Sequence, residues 1–224
     1  MADFYWIAGT GNWSDYTNHW RLGSTGGATP ANAPTSADNV FFVDASTAGT
    51  FTVTVDATSN CANFDASGIT LVANKMTLAG SAALNVYGSW VNPGSTLYAA
   101  TYSGALTFAA TTTGKTITTN AVTITAGSGS SLNFNGVGGE WTLGGALSTA
   151  GSFQLNAGSV VTNNNALTVS VNFQFNNNTN TKSFTAGSST ITVAGSFFAL
   201  NQTNLTFNAG TSSYVNTNSA GGAI

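Results

Sequence analysis

Short stretches in which apolar and polar residues alternate recur along most of the chain. They include FTVTV from Phe51, LNVYG from Leu84, LTF from Leu106, VTIT from Val122 and LNFNG from Leu132. FQLNAG from Phe153, LTVSV from Leu167, ITVAG from Ile191 and LTFNAG from Leu205 continue the pattern. A period of two puts every second side chain on one face, so each stretch predicts a short, half-buried strand. Clusters of Gly, Asn, Ser and Thr follow each one and predict turns. The helix formers Glu, Lys, Arg and Gln are nearly absent, so the chain reads as all-β.

The strands also repeat. LTFAATTTGKTITTN (106–120), FQLNAGSVVTNNN (153–165) and LTFNAGTSSYVNTN (205–218) begin 47 and 52 residues apart. WTLGG at Trp141 and ITVAG at Ile191 are separated by 50. An interval near 50, subdivided into pieces of about 20–25, predicts stacked coils that bury their apolar sides only against one another. A parallel β-solenoid is therefore expected. A β-sandwich or jelly roll, which also uses many short strands, is the competing arrangement.

Charge sharpens this picture. Charged residues make up 5% of the 224 residues, against about 25% in an ordinary domain. Hydrophobic residues, at 42%, are at a normal level for a folded chain. From residue 76 onward only Lys115, Glu140 and Lys182 carry charge. Stacked coils put equivalent side chains about 4.8 Å apart, where like charges repel and Asn or Thr can form hydrogen-bonded ladders. Residues 1–45 differ in composition and predict a cap or attachment segment over the first open strand edge. Residues 46–224 then form the coils as one continuous domain. The C-terminal NTNSAGGAI has no comparable cap, so a partner subunit or further chain is expected to cover that end.

Several functional classes lose support. Net charge is −3 with no basic run, which argues against a nucleic-acid partner. No apolar run of about 18 residues predicts a membrane helix. The opening MADFYWIAGTGNW has neither a basic nor an apolar signal-peptide region. The single Cys61 cannot form an internal disulfide. An uncharged β-rich chain of this kind suits an extracellular surface. A virion protein released by lysis, or a processed secreted protein, meets both conditions.

Material for chemistry is scarce, and no catalytic, cofactor-binding or metal residue is assigned. His19, the one histidine, lacks a recognisable Ser or Asp arrangement and reads as a packing residue. Cys61 reads as a small core residue. Asp44, Asp56 and Asp65 stand in the matching contexts VDAS, VDAT and FDAS, which suit Asx-type turns. Calcium binding or a glycosidase carboxylate pair are the functional alternatives. TTTGKT (111–116) ends like a phosphate-binding loop, but Ala109 stands where the first glycine is required, and a strand pattern follows. GTG (9–11) and GSG (127–129) read as turns. The Asn-rich 163–182 segment reads as an ordered amide ladder.

The aromatic group Tyr5, Trp6, Trp13, Tyr16 and Trp20 holds three of the five tryptophans. Large rings of this kind can close the open end of a first coil. A sugar-stacking platform is the alternative.

GTGNWSDYTNHW (Gly9–Trp20), followed by APTSADNVFF (Ala33–Phe42) and FTVTVDATSNCANFDAS (Phe51–Ser67), resembles a recurring N-terminal module. That module occurs in large β-helical surface proteins of bacteria and in phage-encoded structural proteins of the tail-fibre or appendage type. The resemblance implies a right-handed parallel β-solenoid (β-helix) with a structural or adhesive role. The expected function is a non-enzymatic structural protein of a phage virion: a fibre, appendage or capsid-decorating subunit. Its expected partners are other copies of itself, a trimer among the forms considered, and other virion proteins. A bacterial surface adhesin or carbohydrate-binding β-helix, with a surface glycan as partner, is the alternative.

Overall fold

The computed structural model describes residues 1–46, 49–124, 129–176, 179–198 and 204–218. GSG (127–129), VTIT (122–125), the Asn-rich segment and the end of NTNSAGGAI lie partly outside these residues. The chain winds into a parallel β-solenoid of about seven turns. Each coil visits three faces in order.

The first face stacks Asp3–Trp6, Asn39–Val43, Phe64–Gly68, Trp90–Val91 and Lys115–Thr118. It continues through the second halves of Ser131–Leu143 and Ser152–Val161 to Lys182–Thr185 and Leu205–Asn208. The second face stacks Gly11–Asn12, Phe51–Val55, Met76–Gly80 and Tyr98–Ala100. After a break it resumes with Leu147–Thr149, Leu167–Val169, Thr190–Val193 and Ser213–Asn216. The third face runs from Ser59–Cys61, Leu84–Val86 and Leu106–Phe108 through the first halves of the two long strands to Phe173–Phe175 and Phe197–Phe198.

Alternation decides which side chains enter the solenoid. In Phe51–Val55, Phe51, Val53 and Val55 are buried while Thr52 and Thr54 stay partly exposed. The interior is filled by rings in sequence: Trp6, Phe42, Phe64, Trp90, Phe108, Phe134, Phe153, Phe173 and Phe197. Each contacts the next at centroid separations between 3.8 and 6.3 Å. Burying one such side chain stabilises the fold by about 1.5–3 kcal/mol, and only stacked coils achieve it.

Polar columns fasten the coils outside the core. On the first face Asn39 Nδ2 donates to Asp3 at 2.8 Å, and Asn63 Nδ2 donates to Asn39 Oδ1 at 2.7 Å. The Ser89 amide then donates to Asn63 Oδ1 at 2.7 Å, and the Thr116 amide to Ser89 Oγ at 3.0 Å. On the third face Asn60, Asn85, Thr107, Asn133, Gln154 and Gln174 stand in register, with Asn85 Nδ2 donating to Asn60 Oδ1 at 3.1 Å. These are the amide and hydroxyl ladders that the charge-poor composition implies.

The repeat phase differs from the sequence spacing. One coil is the unit: Val40 pairs with Phe64, 24 residues on, Trp90 with Ile117, 27 on, and Trp141 with Val160, only 19 on. The 47-residue interval from Leu106 to Phe153 spans two coils, through Leu132. The other two matches join different faces. Leu205 stacks on Lys182 of the first face, whereas Phe153 belongs to the third. Trp141 lies on the first face and Ile191 on the second. Coil length varies because corners absorb different numbers of residues, and short Thr/Gly/Asn strands look alike whichever face they occupy.

At the N-terminus Trp20–Leu22 pairs antiparallel with Asp3–Trp6, which itself pairs parallel with Asn39–Val43. The opening segment is thus hydrogen-bonded across the first edge, and Asn39–Val43 is already a strand of the stack.

Candidate functional site

Asp15 starts the lid's one short helix, Tyr16–His19, by accepting from the Asn18 amide and side chain. The hydrogen bonds from Asn18, then Thr17, hold its carboxyl below the usual range. The helix turns the chain so that Trp20 faces inward. Trp6, Trp13 and Trp20 are all fully buried. Trp20 meets Trp6 edge-on at 5.0 Å and Trp13 at 5.1 Å, and its indole N–H donates to the Trp13 carbonyl at 2.9 Å. Tyr5 stacks on Phe41 at 4.9 Å and is half-buried, as is Tyr16. The three indoles therefore present no ring face to solvent, and only the two tyrosines remain partly accessible.

His19 lies flat on Trp6, with centroids 4.8 Å apart and planes 10° apart. Its Nδ1 is 3.0 Å from the Ile7 carbonyl, which accepts and so places the proton on Nδ1. Gly11 is required beneath the ring, because a Cβ there would stand 2.0 Å from Nε2. Packing and one backbone hydrogen bond thus account for His19.

The aspartates accept from hydroxyl or amide donors, and some of them fasten distant segments together. Asp44 accepts from the Thr70 and Leu71 amides, the Thr70 hydroxyl and the Asn74 side chain, one coil on. Desolvation pushes its carboxyl up, and the hydrogen bonds from Thr70, Leu71 and Asn74 outweigh it, leaving the pKa below the usual range. Asp38 behaves alike: desolvation raises it, and bonds from Thr35 and Ala2 lower it further. Asp56 accepts from the Ser14 amide at 3.1 Å and hydroxyl at 2.6 Å, tying the lid to the first full coil. Among the described residues Asp65 alone of the three makes the local turn that its context suggested, accepting from the amide and hydroxyl of Ser67. Asp44 and Asp56 instead bridge segments 26 and 42 residues apart. Among the described residues no group of three or more His, Cys, Asp and Glu side chains could hold a metal ion.

Gly114, with φ of +78°, makes the turn in TTTGKT, and Lys115 opens the strand Lys115–Thr118. A phosphate cradle needs a helix there. Cys61 is fully buried, and burial pushes its thiol pKa up, away from reactive thiolate.

Other features escaped the sequence reading. Tyr87 is exposed two residues after Asn85, beside the third-face amide column. Leu71 and Val72 project from the corner that Asp44 holds. The first-face column of Asn39, Asn63, Ser89 and Thr116 had a usable signal: each residue immediately precedes the inward-facing Val40, Phe64, Trp90 and Ile117. That signal emerges only when coils are aligned at their true, unequal lengths.

At the far end Phe207, Tyr214 and Val215 are exposed. A cleft of about 210 Å³ is lined by Ile191, Val193, Phe197, Phe207, Tyr214 and Val215. No described helix is long and apolar enough to cross a membrane. Comparison with protein-family models, curated proteins and solved structures finds no match, so function is read from the chain's own residues.

Proposed function

We propose that the chain is a non-enzymatic structural component of a phage virion, a β-solenoid fibre, appendage or capsid-decorating subunit. The observation that carries this reading is the unbroken run of packed rings from the lid at Trp20 to Tyr214 at the far end. A core continuous along the axis resists bending, because any bend must open ring contacts on one side. Asp44 and Asp56 support the same role, since the one joins coil to coil and the other joins lid to coil. The resemblance of Gly9–Trp20 to the module found in phage structural and bacterial surface proteins adds to this reading.

The test is location. The gene is expected beside capsid, portal or tail genes, and antibodies against the chain are expected to decorate purified particles by immunogold microscopy. Placement among cell-wall or export genes, with no particle labelling, would overturn the assignment. Asp→Asn changes at Asp44, Asp56 or Asp65 are expected to alter stability alone; loss of a polysaccharide-cleaving activity would point instead to an enzyme.

Tyr87 favours a second reading, glycan binding on the third face. An exposed ring beside planar amides without charge is suited to a neutral sugar. Glycan-array binding that Tyr87→Ala abolishes would support it, and its absence would leave the mechanical role.

A further inference from the structure

Four residues form an outward column across the first face. Tyr5 pairs with Arg21 on one side and Phe41 on the other, and Phe41 pairs with Asp65. Their neighbours Trp6, Trp20, Phe42 and Phe64 are buried, so alternation turns the four away from the core. All four are partly exposed. Outward positions elsewhere carry residues such as Thr52, Thr77, Asn85 and Thr107. Here Tyr5 and Phe41 instead stack at 4.9 Å on the outside of the sheet, where core packing does not select them. Large aromatic rings are the usual central anchors of protein interfaces.

Charge gives the column a direction. Arg21, the only arginine, stands at one end and Asp65 at the other, about 14 Å away at three strand spacings. Arg21 Nη1 donates to the Thr17 and Trp20 carbonyls at 3.0 and 2.6 Å, and its Nε and Nη2 have no partner among the described residues. Asp65 Oδ1 accepts from Ser67, and its Oδ2 has no partner among them. Each end therefore keeps unused capacity for charge-assisted hydrogen bonds.

We propose that this column is a self-association surface through which two copies pack first face to first face with their solenoid axes antiparallel. The two-fold axis runs along the strands, between Tyr5 and Phe41. It sets Arg21 opposite Asp65 of the second copy, Asp65 opposite its Arg21, and the ring pairs against each other, an isologous contact. Face-to-face sheets lie about 10 Å apart, a gap that an arginine and an aspartate reaching toward each other span. Asp3, in register with Asn39, meets the second copy's Asn39 rather than a like charge. An axis along the solenoid would instead set Arg21 on Arg21 and Asp65 on Asp65. A column that reads cation, ring, ring, carboxylate is its own complement in the antiparallel arrangement. That self-complementarity favours a second copy over an unrelated partner or another segment of chain. Only four strands overlap, so the contact belongs to the small, weak class of interfaces. It depends on this column alone and stands or falls apart from the particle assignment.

The experiment is light scattering coupled to gel filtration on the full chain, at about 1 and about 100 µM, which brackets a micromolar Kd. The expected mass at the higher concentration is twice 22.6 kDa. Arg21→Asp and Asp65→Arg each set like charges against each other and are expected to lose the dimer. An equimolar mixture of the two variants restores both opposite-charge pairs and is expected to recover it. Phe41→Thr, which leaves both charges in place, is expected to lose the dimer with an unchanged circular dichroism spectrum, and it gives an answer even if a charge variant fails to fold. A native chain that is monomeric at both concentrations, or that forms trimers or larger species, would overturn the proposal. So would a Phe41→Thr chain that still dimerises, or a mixture of two folded charge variants that stays monomeric.

Discussion

Trp90 lies flat on Phe64, one coil away, with ring centroids 3.8 Å apart and planes inclined by 7°. The two residues are register partners on the first face, and both are fully buried. The Trp90 indole N–H also donates to Asn92 Oδ1 at 2.8 Å. The pair therefore joins two coils through ring contact and orients one ring through a hydrogen bond. Trp90→Ala is expected to lower unfolding free energy by about 3–5 kcal/mol, and Phe64→Leu by about 1.5 kcal/mol or less. Chemical denaturation followed by tryptophan fluorescence, or by circular dichroism for the Trp90 variant, measures both.

Asn63 is a link between two others, donating to Asn39 and accepting from the Ser89 amide. Asn63→Ala leaves the Ser89 amide without that acceptor and is expected to cost about 1–2 kcal/mol. A double-mutant cycle with Asn39→Ala is expected to give a coupling of about 0.5–1 kcal/mol, as residues in one network do. Additive losses would show that the column does not act as a unit.

Acid stability follows from the carboxylates. The folded pKa values of Asp15, Asp38 and Asp44 lie below the ordinary value of 3.8. Their contribution to stability is therefore fully present above about pH 4 and is lost as pH falls through the folded values. Tm is expected to fall on acidification below about pH 4. Asp44→Asn is expected to lower Tm at neutral pH and to reduce the size of that acid-induced fall. Thermal melts of both proteins across the range check this.

Glycine at position 136 is set by close approach. A Cβ there would lie 1.7 Å from the Ala110 carbonyl oxygen, inside the adjacent coil, whereas Gly145 has no atom within 4 Å of such a Cβ. Gly136→Ala is expected to force the long Ser131–Leu143 strand off its neighbour and to reduce soluble yield sharply. Gly145→Ala is expected to stay within about 0.5 kcal/mol of the parent, as surface changes usually do. Yield and melting temperature distinguish them.

Cys61 reports on the core. Its thiol is fully buried, and burial raises its pKa, so a thiol-specific chromogenic reagent is expected to leave it unmodified in the native chain. One thiol is expected to react once denaturant unfolds the coils. Rapid labelling without denaturant would show that the Ser59–Cys61 strand opens locally.

Much of this molecule is legible in its sequence because strand alternation is local. Val53 and Thr54 differ in polarity, and that difference alone sends one inward and the other out. The scarcity of charge, the polar ladders and the unusual opening segment are likewise statements about side-chain chemistry at short range. They determine an all-β chain whose strands need stacked neighbours.

The tertiary structure decided what depends on distance along the chain. Trp141 and Ile191 resemble each other in sequence, yet corners of unequal length put them on different faces. Asp44, Asp56 and Asp65 share one local context, yet Asp65 bonds to Ser67 in its own turn, whereas Thr70 and Ser14 arrive beside Asp44 and Asp56 by coiling. Phe207 has the pattern of a buried strand residue and is exposed, since burial there requires one more layer. Periodicity assigns a side chain to a face; register, coil length and the end of the stack determine what that face meets.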